Sequence, residues 1–356
     1  MDVGLLLIFQ NYLGRGKDAD MVRAEMALAE RAEDLGYHKL WPAEHHFTDY
    51  SACPDNVQFL TWLAARTSTL RLGTAAVIVP WNDPLRVVEK IAFLDHLSGG
   101  RAVLGLGRGL SRTEYHHFQV DMSESRDRFD EASRMIIDAL DTGFIEGKGP
   151  HYEQVRTPIR PAPLAGFRDR FYCVGMSPDS VEQCAALGAR LMTFSQKPWQ
   201  LYKTETLDVY QASFRRHHGK DAPPPLTGDL MLCHADPGKA EALAREYMSN
   251  YFLTIVSHYE LLSEHFKKAK GYDYYASAGD MFRAVGVEPA VKSYVATQCW
   301  GTPDQILDKL RARRELLASP FELNLISQYG GMPPSLAQES VALFAREVLP
   351  ELEKWD

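Results

Sequence analysis

Short apolar runs alternate along this chain with longer stretches in which apolar residues recur every three or four positions. Val3-Gly4-Leu5-Leu6-Leu7-Ile8-Phe9 reads as a buried strand. The stretch 18–35 then carries Met21, Ala24, Leu28 and Leu35 on one stripe and ends at Gly36, the pattern of a helix packed by one face. The alternation repeats, with further strands expected at 39–43, 70–79, 102–106, 171–174, 190–194, 226–234 and 322–327, and helices at 56–67, 83–96, 123–142 and 239–250. Strands alternating with helices predict an α/β fold with a parallel sheet, and eight such strands predict a (β/α)8 TIM barrel. Two stretches depart from the repeat and are read as insertions. One is Pro-rich, at about 146–168; the other, at about 251–300, is too long for a plain crossover and predicts a mobile lid loop before the eighth strand. The whole chain, 1–356, is read as one barrel domain.

The residues richest in chemistry fall where the predicted strands end. They are Glu44-His45-His46 after the second, Gly107-Arg108 after the fourth, Ser177 after the fifth and Ser195-Gln196-Lys197 after the sixth. Barrel enzymes place their active sites at that face, so this distribution predicts an enzyme. An imidazole exchanges a proton near neutral pH, which makes His45, with Glu44 and His46 beside it, the candidate catalytic group. Neighbours on a strand point to opposite sides, so these three would not share an ion. No H-x-H or H-E-x-x-H motif completes a ligand set, and His116-His117 is again an adjacent pair, so no metal is expected.

Leu104-Gly105-Leu106-Gly107-Arg108-Gly109 has the glycine spacing of a dinucleotide fingerprint. It stands at the fourth strand rather than the first, and the residues 110–115 after it begin no obvious buried helix. The preferred reading is that these glycines admit backbone to a planar or phosphorylated ligand while Arg108 meets its charge. Arg126 starts one predicted helix and Ser177 to Ser180 another, and with Arg108 they could hold one phosphate. Phe9, Trp41, Phe47, Trp81, Tyr115, Trp199 and Trp300 are read either as lining for an apolar substrate or as ordinary core.

Composition narrows the classes. The formal net charge of -8 is spread along the chain, with no basic tract suited to nucleic acid or an anionic membrane. No run approaches the ~18 apolar residues of a membrane span. The first apolar run lacks a basic flank and carries Asp2, so it reads as a strand rather than a signal sequence. Five scattered cysteines without C-x-x-C spacing suggest free thiols in a reducing cytoplasm.

At Glu44-His45-His46-Phe47-Thr48, Gly73-Thr74-Ala75-Ala76 and Arg108-Gly109-Leu110 the chain resembles the bacterial luciferase-like flavin monooxygenases, the luciferase alpha chains in particular. Matching stretches at 83–86, Arg101, Ser125-Arg126, Lys270-Gly271-Tyr272-Asp273, Gly301-Thr302-Pro303 and Leu343-Phe344-Ala345 extend the resemblance along nearly the whole length. The resemblance implies FMN, supplied reduced by a separate NAD(P)H:flavin reductase, with O2 as co-substrate and a flavin C4a-(hydro)peroxide as oxidant. His45 matches the catalytic histidine of the family. Ala75-Ala76 matches a cis peptide beneath the flavin ring, and Arg108, Arg126, Ser177 and Ser180 match phosphate-binding positions. Lys270 matches the lid, and Glu89 lies on the helix through which family members dimerise, so a homodimer is implied. Two departures stand out. Gly107 replaces a reactive cysteine and Met176 a glutamate near the phosphate, which argues against light emission from a long-chain aldehyde. They direct the expectation to an aromatic or polycyclic, polyketide-like substrate of secondary metabolism, oxidised by Baeyer–Villiger insertion or hydroxylation. The alternatives are an F420-dependent dehydrogenase of the same superfamily and a non-catalytic barrel subunit. Retention of His45 and the arginines argues against the latter.

Overall fold

The computed structural model describes residues 1–355. β1 (Val3–Leu7) is buried along its whole length and pairs in parallel with β2 (Lys39–Pro42). The ladder continues in parallel through β3 (Arg71–Gly73), its short continuation β4 (Val77–Ile78) and β5 (Ala102–Gly107). β6 (Phe144–Lys148) and β7 (Glu153–Pro158) form a separate antiparallel hairpin. β8 (Phe171–Val174), β9 (Arg190–Phe194) and β10 (Leu226–Cys233) resume the barrel, and β11 (Cys299–Gly301) pairs with the outer end of β10. β12 (Glu322–Ile326) joins β10 to β1, while β10 also pairs with β9. That double pairing closes eight parallel strands into the expected (β/α)8 barrel.

The crossover helices bury one stripe each. α1 (Asp18–Ala32) presents Met21, Ala24, Leu28 and Ala32 to the barrel, and α2 (Asn56–Ala64) and α3 (Pro84–Leu97) follow the second and third strands. α4 (Arg112–His117) is a single short turn of helix where the sequence suggested none, with Glu114 and Tyr115 buried. α5 (Ser125–Thr142) buries Phe129, Ala132, Ile136 and Leu140 and ends at Gly143, whose φ of 76° suits glycine at a helix end. α6 (Pro178–Ala186) follows β8; α7 (Trp199–Tyr202) runs through a π turn into α8 (Asp208–His218). α9 (Pro237–His258), α10 (Asp273–Val285), α11 (Val287–Thr297), α12 (Pro303–Leu317) and α13 (Pro334–Glu347) complete the shell. Among the described residues, no helix is long and apolar enough to cross a membrane.

Three expectations change. The strand predicted at 70–79 is broken, because the Thr74 hydroxyl takes both the N–H and the C=O of Gly105 and so interrupts the backbone ladder. The stretch 251–300 is largely helical rather than a loop: α9 runs on to His258, and α10 and α11 fill most of the remainder. It also ends in β11, where no strand was expected.

The amino end of the barrel is closed by charge. Lys39 reaches Glu322 at 2.6 Å, and Tyr172 and Arg190 donate to the same carboxylate. Near the opposite end, Glu25 of α1 accepts from the Phe9 N–H at 2.9 Å, while its second oxygen is buried without a partner. Burial pushes this carboxyl up to about 8 from the ordinary 4.5. The folded state therefore prefers the protonated acid, and stability falls as pH rises from 4.5 to 8. Glu25→Gln, neutral at every pH, is expected to be more stable than the native chain by roughly 3 kcal/mol at about pH 7, and by much less at about pH 5. Urea denaturation at the two pH values measures this; a pH-independent difference would mean that Glu25 is not held as the acid.

Candidate active site

The end of β2 delivers Glu44, His45 and His46 in opposite directions. Glu44 turns inward, where its carboxylate accepts from the Ile78 N–H at 3.2 Å and from Trp81 Nε1 and Asn82 Nδ2, both at 2.9 Å. His46 Nε2 lies 3.3 Å from the same group, and its ring is set edge-on to Trp81 and Phe118. A buried carboxylate needs donors, and these are the ones the fold supplies. Through these contacts Glu44 and His46 bolt the end of β2 to the segment after β4.

His45 faces the other way. Its Nδ1 is 3.0 Å from Glu114 Oε1, and its Nε2 is 3.3 Å from the Tyr259 hydroxyl. The same Glu114 oxygen accepts the His46 N–H at 2.9 Å. Burial pushes the Glu114 carboxyl up, but the charge of His45, its hydrogen bond, His258 and the His46 N–H together hold it below its usual value. An ionised carboxylate against Nδ1 sets the tautomer and plane of the ring and leaves Nε2 to exchange protons. His258 completes the cluster: its ring lies flat on Tyr50 at 4.3 Å and meets His45 edge-on at 5.1 Å. Burial, then the nearby His45, push it down to about 3, so it is neutral.

Beside this unit lies a flat floor. The Ala75–Ala76 peptide is cis, and Asn56 Nδ2 donates to the Ala76 carbonyl at 3.1 Å. Gly107 stands beside it: a Cβ there would lie 3.3 Å from the Ala76 Cβ and 2.9 Å from Ile78 Cδ1, so a larger residue would crowd Ala76 and push the Ile78 tip aside. Beyond Gly107 the Arg108 guanidinium stacks on the Tyr272 ring at 4.0 Å and donates to the Gly271 carbonyl at 3.1 Å. Both terminal nitrogens of Arg126 are buried without partners. Burial first, and the charge of Arg108 second, weaken the hold of Arg126 on its proton, while Asp130 and Asp179 oppose them. Asp179 belongs to the first turn of α6, so the two arginines and that helix N-terminus share one neighbourhood. Ser177 and Ser180 form the capping box of α6, with Met176 N also donating to Ser180 Oγ. A partnerless buried guanidinium beside a second one and a helix N-terminus has the chemistry of a cradle that suits an anion.

The candidate pocket residues separate into two groups. Phe47, exposed, and Trp81 cluster with Phe118 around His46, whereas Tyr115 is fully buried and donates its hydroxyl to the Arg108 carbonyl. Trp199 packs with Tyr202, Leu207, Leu317 and Phe321 under the Arg313 guanidinium, and Trp300 is covered by Lys309. Both side chains are thus engaged in packing contacts. Lys270 is exposed, with Nζ 3.3 Å from Asp127. Glu114, His258, Tyr259 and Asn56 escaped the sequence reading. α4 is too short for periodicity to show, and the others approach His45 or Ala76 only through the fold. The fold also brings together His45, Glu114 and His258, each of which offers a ligand atom within 4.8 Å of the others, a grouping that no sequence motif marks.

The sequence model of the luciferase-like monooxygenases matches residues 1–319. The chain belongs to the luciferase-like monooxygenase family. It is therefore an oxidoreductase, with monooxygenases among its relatives. The alkanal monooxygenase alpha chain of Aliivibrio fischeri is 26% identical over 247 residues, 69% of each chain. An uncharacterised protein of Sinorhizobium fredii is 35% identical over 166 residues, and the match spans about half the length of that relative, 48%. The crystal structure of monooxygenase RslO1 from Streptomyces bottropensis superposes with a TM-score of 0.79 at 25% identity, covering 99% of this luciferase-like chain and 100% of that one. The oxygenating constituent of 3,6-diketocamphane monooxygenase from Pseudomonas putida, a type II Baeyer-Villiger enzyme in complex with FMN, shares the fold at TM-score 0.75 and 14% identity, covering 99% and 98%. So does an F420-dependent tetrahydromethanopterin reductase from Methanopyrus kandleri, at 0.69 and 16%, covering 98% and 99%.

If Glu44 is an anchor, Glu44→Gln brings an amide N–H against the donors of Trp81 and Asn82. The variant is expected to lose about 2 kcal/mol of stability. Thermal denaturation followed by circular dichroism measures it, and an unchanged Tm would remove the anchoring role.

Proposed function

We propose that this luciferase-like enzyme is a two-component monooxygenase that receives reduced FMN from a separate NAD(P)H:flavin reductase and oxidises an apolar, aromatic or polycyclic substrate with O2. The observation that carries the reading is the partnerless Arg126 guanidinium beside Arg108 at the start of α6, because a phosphate monoester would satisfy it. Arg108 and Arg126 would hold the phosphate, with the α6 N-terminus behind it; the floor of Ala75–Ala76 and Gly107 would receive the ring system. When bound reduced, FMN supplies the electrons with which O2 is activated for insertion of one oxygen atom. His45, oriented by Glu114, exchanges a proton at Nε2 with the reacting groups. Tyr259 and Tyr50 wall that proton off from solvent, and Trp81, Phe118 and Phe47 provide an aromatic flank for the substrate. Segment 259–272, tied to the cradle through Gly271 and Tyr272, shields the site, and Lys270 to Asp127 fastens its edge. Phe93 and Leu97 leave an apolar strip exposed on α3, next to Glu89, which supports pairing of two copies along that helix.

His45→Ala is expected to lower oxygenated product from a panel of cyclic ketones and phenols by about a hundredfold or more, with affinity for reduced FMN retained. Full turnover in that variant would remove His45 from the mechanism. Arg126→Ala is expected to weaken reduced FMN roughly 10- to 100-fold in anaerobic titration, since one charged hydrogen-bonding partner is lost. Equal affinity in the variant, or tight binding of F420 and none of FMN, would overturn the cofactor assignment.

A further inference from the structure

Three side chains from three separate elements converge at the proton-exchanging end of the site: His45 after β2, Glu114 in α4 and His258 at the last residue of α9. One ligand atom of each lies within 4.8 Å of the other two. His45 Nδ1 and Glu114 Oε1 stand 3.0 Å apart, the spacing of two ligands at right angles on an ion with bonds of about 2.1 Å. His258 Nε2 is buried and has no partner, although a buried ring nitrogen ordinarily finds one. Each imidazole is also held from behind by a hydroxyl: His258 Nδ1 by Thr48 Oγ1 at 3.1 Å and His45 Nε2 by Tyr259 at 3.3 Å. Such outer contacts fix ring plane and tautomer and present the free nitrogen to a ligand.

We propose that His45, Glu114 and His258 form a binding site for a first-row divalent transition ion such as Zn2+ or Co2+. Two imidazole nitrogens and one carboxylate suit these ions, whereas Mg2+ and Ca2+ prefer all-oxygen surroundings. The ion and the Nδ1 proton of His45 compete for one nitrogen, so an occupied site cannot hold the ring in its proton-exchanging tautomer. The ion therefore acts as an inhibitor of the oxygenase and not as its cofactor. This last consequence rests on the monooxygenase reading; the binding itself does not.

The test uses the full chain without flavin and reads no turnover. CoCl2 is titrated into the protein and followed by its visible d–d absorption, then displaced with Zn2+. The expected result is saturation at one equivalent, loss of the signal in His258→Ala, and about tenfold weaker binding in Thr48→Val, which removes only the hydroxyl behind the ligand. Circular dichroism melting checks that the variants fold; should His258→Ala not fold, Thr48→Val carries the test. Absence of a saturable signal, or the same signal in both variants, as surface histidine pairs such as His116-His117 would give, overturns the proposal. Failure of FMN to bind would leave this result unaffected.

Discussion

A carboxylate taken out of water must be met by donors, and the arrangement of this site follows from how Glu44 meets that requirement. Its bonds to Ile78, Trp81 and Asn82 fasten the last turn of chain after β2 to the segment after β4. Residues on either side of Glu44 are thereby committed. His45 is directed away from the bolt, towards Glu114, and the cis Ala75–Ala76 peptide just before β4 is brought level with Gly107. Were Glu44 free to move, neither the imidazole nor the floor would have a defined place relative to the other.

The two buried carboxylates of the site illustrate how environment assigns duty. Glu44 is met mostly by neutral N–H donors from the scaffold, and its work is geometric. Glu114 faces an imidazole on one oxygen and takes a backbone N–H on the same atom, so its charge is coupled to a group that can gain or lose a proton. Two residues of similar chemistry, both less than a tenth exposed, therefore differ in function through their partners.

Much of the architecture was legible in the sequence because it is periodic. Barrel strands such as Phe171–Val174 and Arg190–Phe194 are short apolar runs between helical stripes, and their positions match the reading. What escaped depends on contacts between distant residues. The break in the third strand comes from the Thr74 hydroxyl meeting Gly105, a pairing that no local pattern encodes. Glu114 sits on a helix of six residues, too short for a stripe to register, and His258 lies at the far end of α9. His45 stood out because adjacent histidines beside a glutamate are conspicuous; that Glu44 and His46 also bolt β2 to the segment after β4 shows only in the fold. Nor does the sequence show how the large aromatics are engaged: Trp199 and Trp300 satisfy their N–H groups on the backbone carbonyls of Thr297 and Val295.

Arg108 is held by two contacts from one segment, the Gly271 carbonyl and the face of Tyr272, whose own hydroxyl bonds Ser125 and the Gly109 carbonyl. An anion arriving in the cradle must share or displace those contacts. By reciprocity, whatever free energy the anion loses in loosening the segment, the segment loses in turn when the anion is present. Sequence changes in 259–272 that never approach a phosphate would thus tune its affinity, and the coverage of the site and its occupancy become a single thermodynamic variable.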